Sequence, residues 1–565
     1  MSQNKIIIYQ VLPRLFGNKT TRNKFNGTID ENGSGKFAHF TNRALSEIKK
    51  MGFTHIWYTG ILAHASKTDY TANGIPKQYP EIIKGNAGSP YAIRDYYDVD
   101  PDLAEDVDKR MHEFEQMVTL THKNEMGVII DFVPNHLARD YKSIMNPEES
   151  EEFGANDDPT HSFLPSNNFY YIPDNALDLS LIPADSEVVN YIENPAKVTG
   201  NDSFTHKPSK YDWYETVKLN YGIDYQNWHQ THFSPIPDTW HKMKKILMFW
   251  AEKKVDAFRC DMAEMVPLEF WEWVIPRVKE KFPHILFIAE IYNKDSYRNF
   301  LSANAFDYLY DKVGLYDVVR DVACGYRPSS DIAFTLDEVG DIQQHMLNFI
   351  ENHDEQRVAS DFFLGNAKKG IAAMILTACI GVNPIMIYSG QELGEKGMDK
   401  EGFSGKDGRT TIFDYWSIDK LVRWNNQGKW NKSLLTSDEK ELRDFYTKLL
   451  QFCGQEKAIS KGAVYDLMHA NYENDKFNST KKYAFLRGYE EDLFLIIVNF
   501  NDKDSQVTVN IPEDAYSFFQ KEKIKSIKAT PTLTSDKYVL TFEDASSLKL
   551  NINAHSGEIF KITFK

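Results

Sequence analysis

Cysteine is scarce in this chain of 565 residues. There are four, Cys260, Cys324, Cys379 and Cys453, with no C-x-x-C pair and no metal-ligand spacing. That excludes a disulfide framework and a zinc-ribbon module, and it predicts buried free thiols. Positive charge is also in deficit, with 65 Lys and Arg against 81 Asp and Glu and a formal net charge of −16. Such a surface repels phosphate backbones, so no nucleic acid partner is expected. Long apolar runs are lacking too. The longest, Ile371 to Tyr388, is interrupted by Gly381, Asn383 and Pro384. It reads as a buried helix, a turn and a core strand, so no membrane partner is expected. No leader precedes the first apolar strand. The chain as written is expected in the cytoplasm, or in the periplasm or outside the cell if a leader was removed.

What is present is an ordinary globular mix, 42% hydrophobic and 26% charged, with a high aromatic share of 13%. Over the first ~450 residues, short apolar strands alternate with amphipathic helices, the pattern of a parallel sheet. Strands are predicted at Ile6–Val11, Thr54–Tyr58, Gly127–Val133, Val255–Arg259, Ile285–Ala289, Phe306–Leu309, Met346–Ile350 and Ile385–Tyr388. Eight such units predict an α/β fold, a (β/α)8 TIM barrel. The clearest helix is Asp238 to Lys253, with Trp240, Met243, Leu247 and Trp250 on one stripe.

The units are unequal. A plain unit takes about 30 residues, yet Asp131 and Asp261 lie 130 apart. The surplus carries Phe163, Phe169, Tyr170, Tyr171, Trp213, Tyr214, Tyr221 and Tyr225 without helical periodicity. A structureless loop of that length is improbable, so an inserted subdomain after strand 3 is expected. Its aromatics read mostly as its own small core. Beyond Ala458, short alternating strands predict a C-terminal antiparallel β-sandwich. The expected division is residues 1–136 and 229–458 for the barrel, 137–228 for the insertion and 459–565 for the sandwich.

Barrel enzymes carry their chemistry just past the C-terminal ends of the strands. There the sequence places Asp131-Phe132-Val133-Pro134-Asn135-His136, Arg259-Cys260-Asp261, Glu290, and Glu351-Asn352-His353-Asp354. Alone, an aspartate at a strand end is ordinarily a cap or a loop residue, and Arg259 could be a structural ion pair. Together, Asp261, Glu290 and Asp354 are the carboxylate set a glycosidase needs. One attacks the anomeric carbon and one protonates the leaving oxygen. Arg259, two residues before Asp261, points to the same face of a strand and is expected to keep Asp261 ionised. The apolar run before Glu290 is expected to raise its pKa.

These four ordered regions resemble glycoside hydrolase family 13, the α-amylase family. So do Ile8–Phe16 and Gly88-Ser89-Pro90-Tyr91, with Asp95-Tyr96 and Val99-Asp100-Pro101 after it. The resemblance implies a retaining double displacement on α-1,4-glucosidic bonds of starch, glycogen or maltooligosaccharides. Asp261 would be nucleophile, Glu290 acid/base and Asp354 transition-state stabiliser. Tyr91, His136, Arg259 and His353 would line the sugar. Transglycosylase, α-glucosidase and sugar phosphorylase activities of the same family share these residues and stay open. A catalytically dead amylase-like binding protein would have lost the carboxylates, which are all here. No cofactor is required. The family's Ca2+ has one matching ligand, Asn135, and Asn26–Gly33 reads better as a polar turn than as a calcium loop. Two departures stand out. The family's Lys-His pair after the nucleophile is replaced by Glu264-Met265, which reads either as neutral variation at a helix start or as altered leaving-side subsites, the latter leaving room for oligosaccharide trimming or transfer in place of long-chain internal cleavage. Ala92 follows Tyr91 where relatives often have Asp. The oligomeric state is not legible.

Overall fold

The architecture is that of a computed structural model, which describes residues 5–146, 152–183, 191–302, 305–397, 405–521, 524–534 and 538–564. The lead-in Met1–Asn4 lies outside the described residues. At the centre stand eight parallel strands: β1 (Ile7–Val11), β2 (His55–Tyr58), β3 (Gly127–Phe132), β4 (Ala257–Cys260), β5 (Leu286–Ala289), β6 (Tyr308–Tyr310), β7 (Met346–Leu347) and β8 (Ile385–Tyr388). Each strand pairs with its neighbours in chain order, and β1 pairs with β8. A single parallel bridge from Asn348 to Ile385 closes the ring between β7 and β8. The barrel expected from the sequence is therefore present. The one marked difference is β7. Its ladder stops at Leu347, and Phe349 turns inward to pack on Tyr310 and Tyr316.

Alternation along the strands sorts side chains into two shells. Ile8, Trp57, Ile129, Ala257, Ile288, Leu347 and Met386 fill the inside of the barrel. Their neighbours in sequence, such as Ile7, Val128, Phe258, Phe287 and Ile387, face outward and join a larger core with the helices. The helix Asp238–Glu252 buries Trp240, Met243, Ile246, Leu247 and Trp250 against that outer shell. The run from Ile371 resolves into the buried helix Ile371–Cys379 and strand β8. No helix among the described residues is long and apolar enough to cross a membrane.

Between β3 and Asp238 the described residues form short antiparallel pairs rather than helices. The pair that matters for the site is His136–Ala138 against Thr216–Lys218. Tyr170 packs among Phe163, Phe204 and Tyr225, while Tyr214 and Tyr221 are buried. Most of these aromatics thus serve local packing.

The C-terminal part holds a six-stranded antiparallel sheet and a two-stranded one. Ala463–Asp466 is its half-buried edge strand, and Ile527–Pro531 carries lysine, threonine and a terminal proline, which dilute its apolar signal. Three of the four cysteines are buried free thiols, as expected, and Cys324 is half-buried.

Arg487 joins the sheet to the barrel. It is fully buried in the strand Lys482–Tyr489. Its guanidinium donates to four carbonyls: Ala458 at 3.2 Å and Ile459, Gly462 and Cys379 at 2.9 Å. Burial pulls its pKa down to about 10, so it stays charged at neutral pH. Replacing it strands all four acceptors, each costly to leave unpaired. Arg487→Met is expected to lower stability by at least about 3 kcal/mol in denaturant titration. A loss under about 1 kcal/mol would contradict this role.

Candidate active site

The site is set by strand register. β4 pairs with β5 so that Cys260 lies beside Ala289. One residue further, Asp261 and Glu290 leave the barrel side by side. The ladder continues past the strand ends, through Asp261 N–H to Phe132 C=O at 2.9 Å and Glu290 N–H to Cys260 C=O at 3.1 Å. The two carboxylates are therefore held by backbone that behaves as sheet, which is stiffer than a free loop. On the other side, Arg259 pairs in register with Asp131. Parity then points Asp131, Arg259 and Asp261 to one interior.

Arg259 is the hub, and it is buried. Nη1 lies 2.6 Å from Asp261 Oδ1 and 3.5 Å from Asp131 Oδ1, and Nη2 lies 2.7 Å from Glu290 Oε2. Nε donates to the Tyr310 hydroxyl at 3.2 Å. The rings of Trp57, Tyr91 and Tyr310 surround the guanidinium at 5.3–5.4 Å. One cation thus faces three carboxylates in a space walled by aromatics, and attraction and repulsion are both strong in such a setting.

The titration of Asp261 differs from the sequence expectation. Burial pushes its carboxyl well above the ordinary range, Arg259 pulls the other way, and the neighbouring Glu290 charge adds to the rise. One arginine shared among three carboxyls does not offset the burial of Asp261. The setting of Glu290 also differs. Its carboxylate meets polar partners, accepting from Met262 N–H at 2.9 Å and from the Tyr292 hydroxyl at 2.7 Å. Met262, next to Asp261, has the left-handed φ of 43°, an uncommon conformation for this residue type. That turn is what aims its N–H at Glu290.

Asp354 stands one link away. His353 Nε2 lies 3.0 Å from Asp354 Oδ2 and 2.5 Å from the Tyr91 hydroxyl, and His353 Nδ1 lies 2.7 Å from Gln10 Nε2. Burial, the largest single influence on Asp354, acts to raise it, but His353, Arg259 and Arg409 together lower the carboxyl to about 2. Asp354 is thus a fixed anion at any working pH. Together with His353 and Tyr292 it faces a cavity of about 370 Å³ that also takes in Lys312 and Arg409.

His136 sits on the insertion side, opposite Lys218. It packs on Trp213 at 5.2 Å and bonds the backbone of Tyr91. Burial first, then Lys218 and Lys84, hold its pKa at about 3, which leaves a neutral imidazole. Tyr91 links this side to His353, so all seven residues singled out in the sequence belong to one connected region.

Sequence reasoning left Asp131, Trp57, Tyr310 and Tyr292 out of the site. The first three have inward parity at the level of Arg259, which the strand pattern carries. Tyr292 follows Glu290 by two residues in a loop, where no such rule applies. Its place depends on Glu264, whose carboxylate accepts from Tyr292 N–H at 3.1 Å and Asn293 N–H at 2.9 Å. The other departure, Ala92, is a packing residue in a small cluster with Ala65, Ile83 and Ala138.

Comparison with known proteins follows the same line. The family model described as the catalytic domain of alpha amylase matches residues 10–444. The chain belongs to the α-amylase family. It is a glycoside hydrolase of that family. Alpha-amylase 3 of Dictyoglomus thermophilum is 23% identical over 445 residues, covering 74% of this chain and 76% of that protein. A cyclomaltodextrinase of a Bacillus species is 21% identical over 511 residues, covering 88% and 73%. Among solved structures, a noncanonic maltogenic α-amylase from Thermotoga neapolitana aligns over 99% of both chains with a TM-score of 0.62 at 19% identity.

A lysine in place of Arg259 keeps one charge but has no planar fork to engage separate carboxylates. Arg259→Lys is expected to lower glycosidase kcat/KM at least ~100-fold with the circular dichroism spectrum unchanged. Activity within about threefold of the parent would contradict the hub role.

Proposed function

We propose that the protein is a retaining α-glucan hydrolase acting on α-1,4 links, with maltooligosaccharides favoured over long internal chain. Asp261 attacks the anomeric carbon as the C1–O bond breaks, and Glu290 gives its proton to the leaving oxygen. Water then attacks the glycosyl ester, Glu290 takes up the proton, and Asp261 is released. Asp354, held ionised, supports the positive charge that develops on the ring. His353 and the neutral His136 are placed to bond hydroxyls, and Tyr91 to stack on the sugar.

The observation that carries this reading is the sharing of Arg259 by Asp261 and Glu290. Oxygens bonded to neighbouring nitrogens of one guanidinium suit the close spacing of retaining enzymes, about 5–5.5 Å between carboxyl groups. The preference for short substrates rests on Glu264. It is engaged with the loop after β5, so it does not replace the basic side chain that relatives offer to leaving-side sugars. The substrate is then held mainly by the subsites around the cavity.

Maltoheptaose digestion followed over time tests both parts. The α-anomer is expected first by proton NMR, with maltose or glucose accumulating from the earliest points. Initial β-anomer would contradict retention, and an early even spread of product lengths would contradict trimming.

A further inference from the structure

The α-amylase resemblance reserves a place for calcium between barrel and insertion, with Asn135 as one ligand. The residues there do not fit that ion. The Asn135 carboxamide oxygen accepts from Lys218 Nζ at 2.8 Å. The same ammonium lies 2.5 Å from Asp202 Oδ1 and 5.2 Å from the centre of the Tyr225 ring. The Lys218 side chain is 1% exposed. Asn135 Nδ2 in turn donates to Gly200 C=O at 2.8 Å. A carboxamide oxygen, a carboxylate and a backbone carbonyl are the donors a calcium ion takes, in sets of about six to eight. Here the first two already surround a fixed positive charge, which repels a second cation, and the carbonyl is engaged by Asn135. Among the described residues no group of three or more His, Cys, Asp or Glu side chains is placed to hold a metal. The oxygen-rich turn at Asn26–Gly33 is likewise spent internally. Asn32 bonds Lys24 and Tyr415 backbone, and Glu31 caps Thr28.

We infer that Lys218 is a built-in cation that replaces calcium at the joint between barrel and insertion, so that the protein needs no metal there. The register supports the role. Lys218 stands directly opposite His136 in the short antiparallel pair, so the ammonium ties the insertion to the loop that carries Asn135 and His136. A chelator can strip an ion but not a side chain.

Two arms test this. The purified protein, dialysed against EDTA and then supplied with calcium chloride, is expected to keep its melting temperature within about 1 °C, since a bound ion would stabilise by mass action. Elemental analysis is expected to find calcium far below one ion per chain. Lys218→Met, similar in length but uncharged, strands Asn135 and Asp202. Its melting temperature is expected to fall by roughly 5 °C or more, without recovery in calcium. A chelator-induced drop reversed by calcium, stoichiometric calcium in the parent protein, or a Lys218→Met variant as stable as the parent would each overturn the inference. If the variant fails to fold, the chelation and elemental measurements on the parent still decide.

Discussion

The site depends on one buried guanidinium asked to serve more carboxylates than it can neutralise. Arg259 faces Asp131, Asp261 and Glu290 within 3.5 Å. A closed apolar interior would not tolerate this excess of anions. In the proposed mechanism this excess of negative potential is matched by the positive charge of an oxocarbenium-like transition state. Burial and the neighbouring Glu290 charge raise the pKa of Asp261, while His353, Arg259 and Arg409 lower that of Asp354.

The barrel converts sequence parity into this geometry. Lower inward positions are apolar, as at Ile8, Ile129 and Ala257. Two residues later along the same strands stand Gln10, Asp131 and Arg259, all buried. The polar layer thus sits on an apolar floor that excludes water from below, which strengthens each charge interaction above it. Asp261 and Glu290 come one rung higher, where backbone pairing is intact and both carboxylates are still buried.

Much of this could be read from the residues. Every barrel strand was legible because a parallel strand covered on both faces is a near-continuous apolar run. The positions just past Arg259, Ala289 and Ile350 were legible because strand ends are where barrel enzymes keep their chemistry. Less legible was whatever depends on contacts across the fold. The pKa direction of Asp261 depends first on its burial and then on the Glu290 charge beside it, which no local pattern reports. The apolar run before Glu290 suggested a dry pocket, but strand parity sends those side chains to packed shells and leaves the carboxylate with Arg259, Met262 N–H and Tyr292. The engagement of Lys218 with Asn135 joins residues 83 apart in sequence.

The most direct measurement captures the covalent step itself. In Glu290→Gln, an α-maltosyl fluoride can still react, because fluoride leaves without a proton, while hydrolysis of the resulting ester lacks its base. Peptide mass spectrometry after a brief incubation is expected to find a maltosyl group on the peptide containing Asp261 and nowhere else. A maltosyl group on another residue, or none while fluoride is released, would contradict the central claim that Asp261 is the nucleophile beside Arg259.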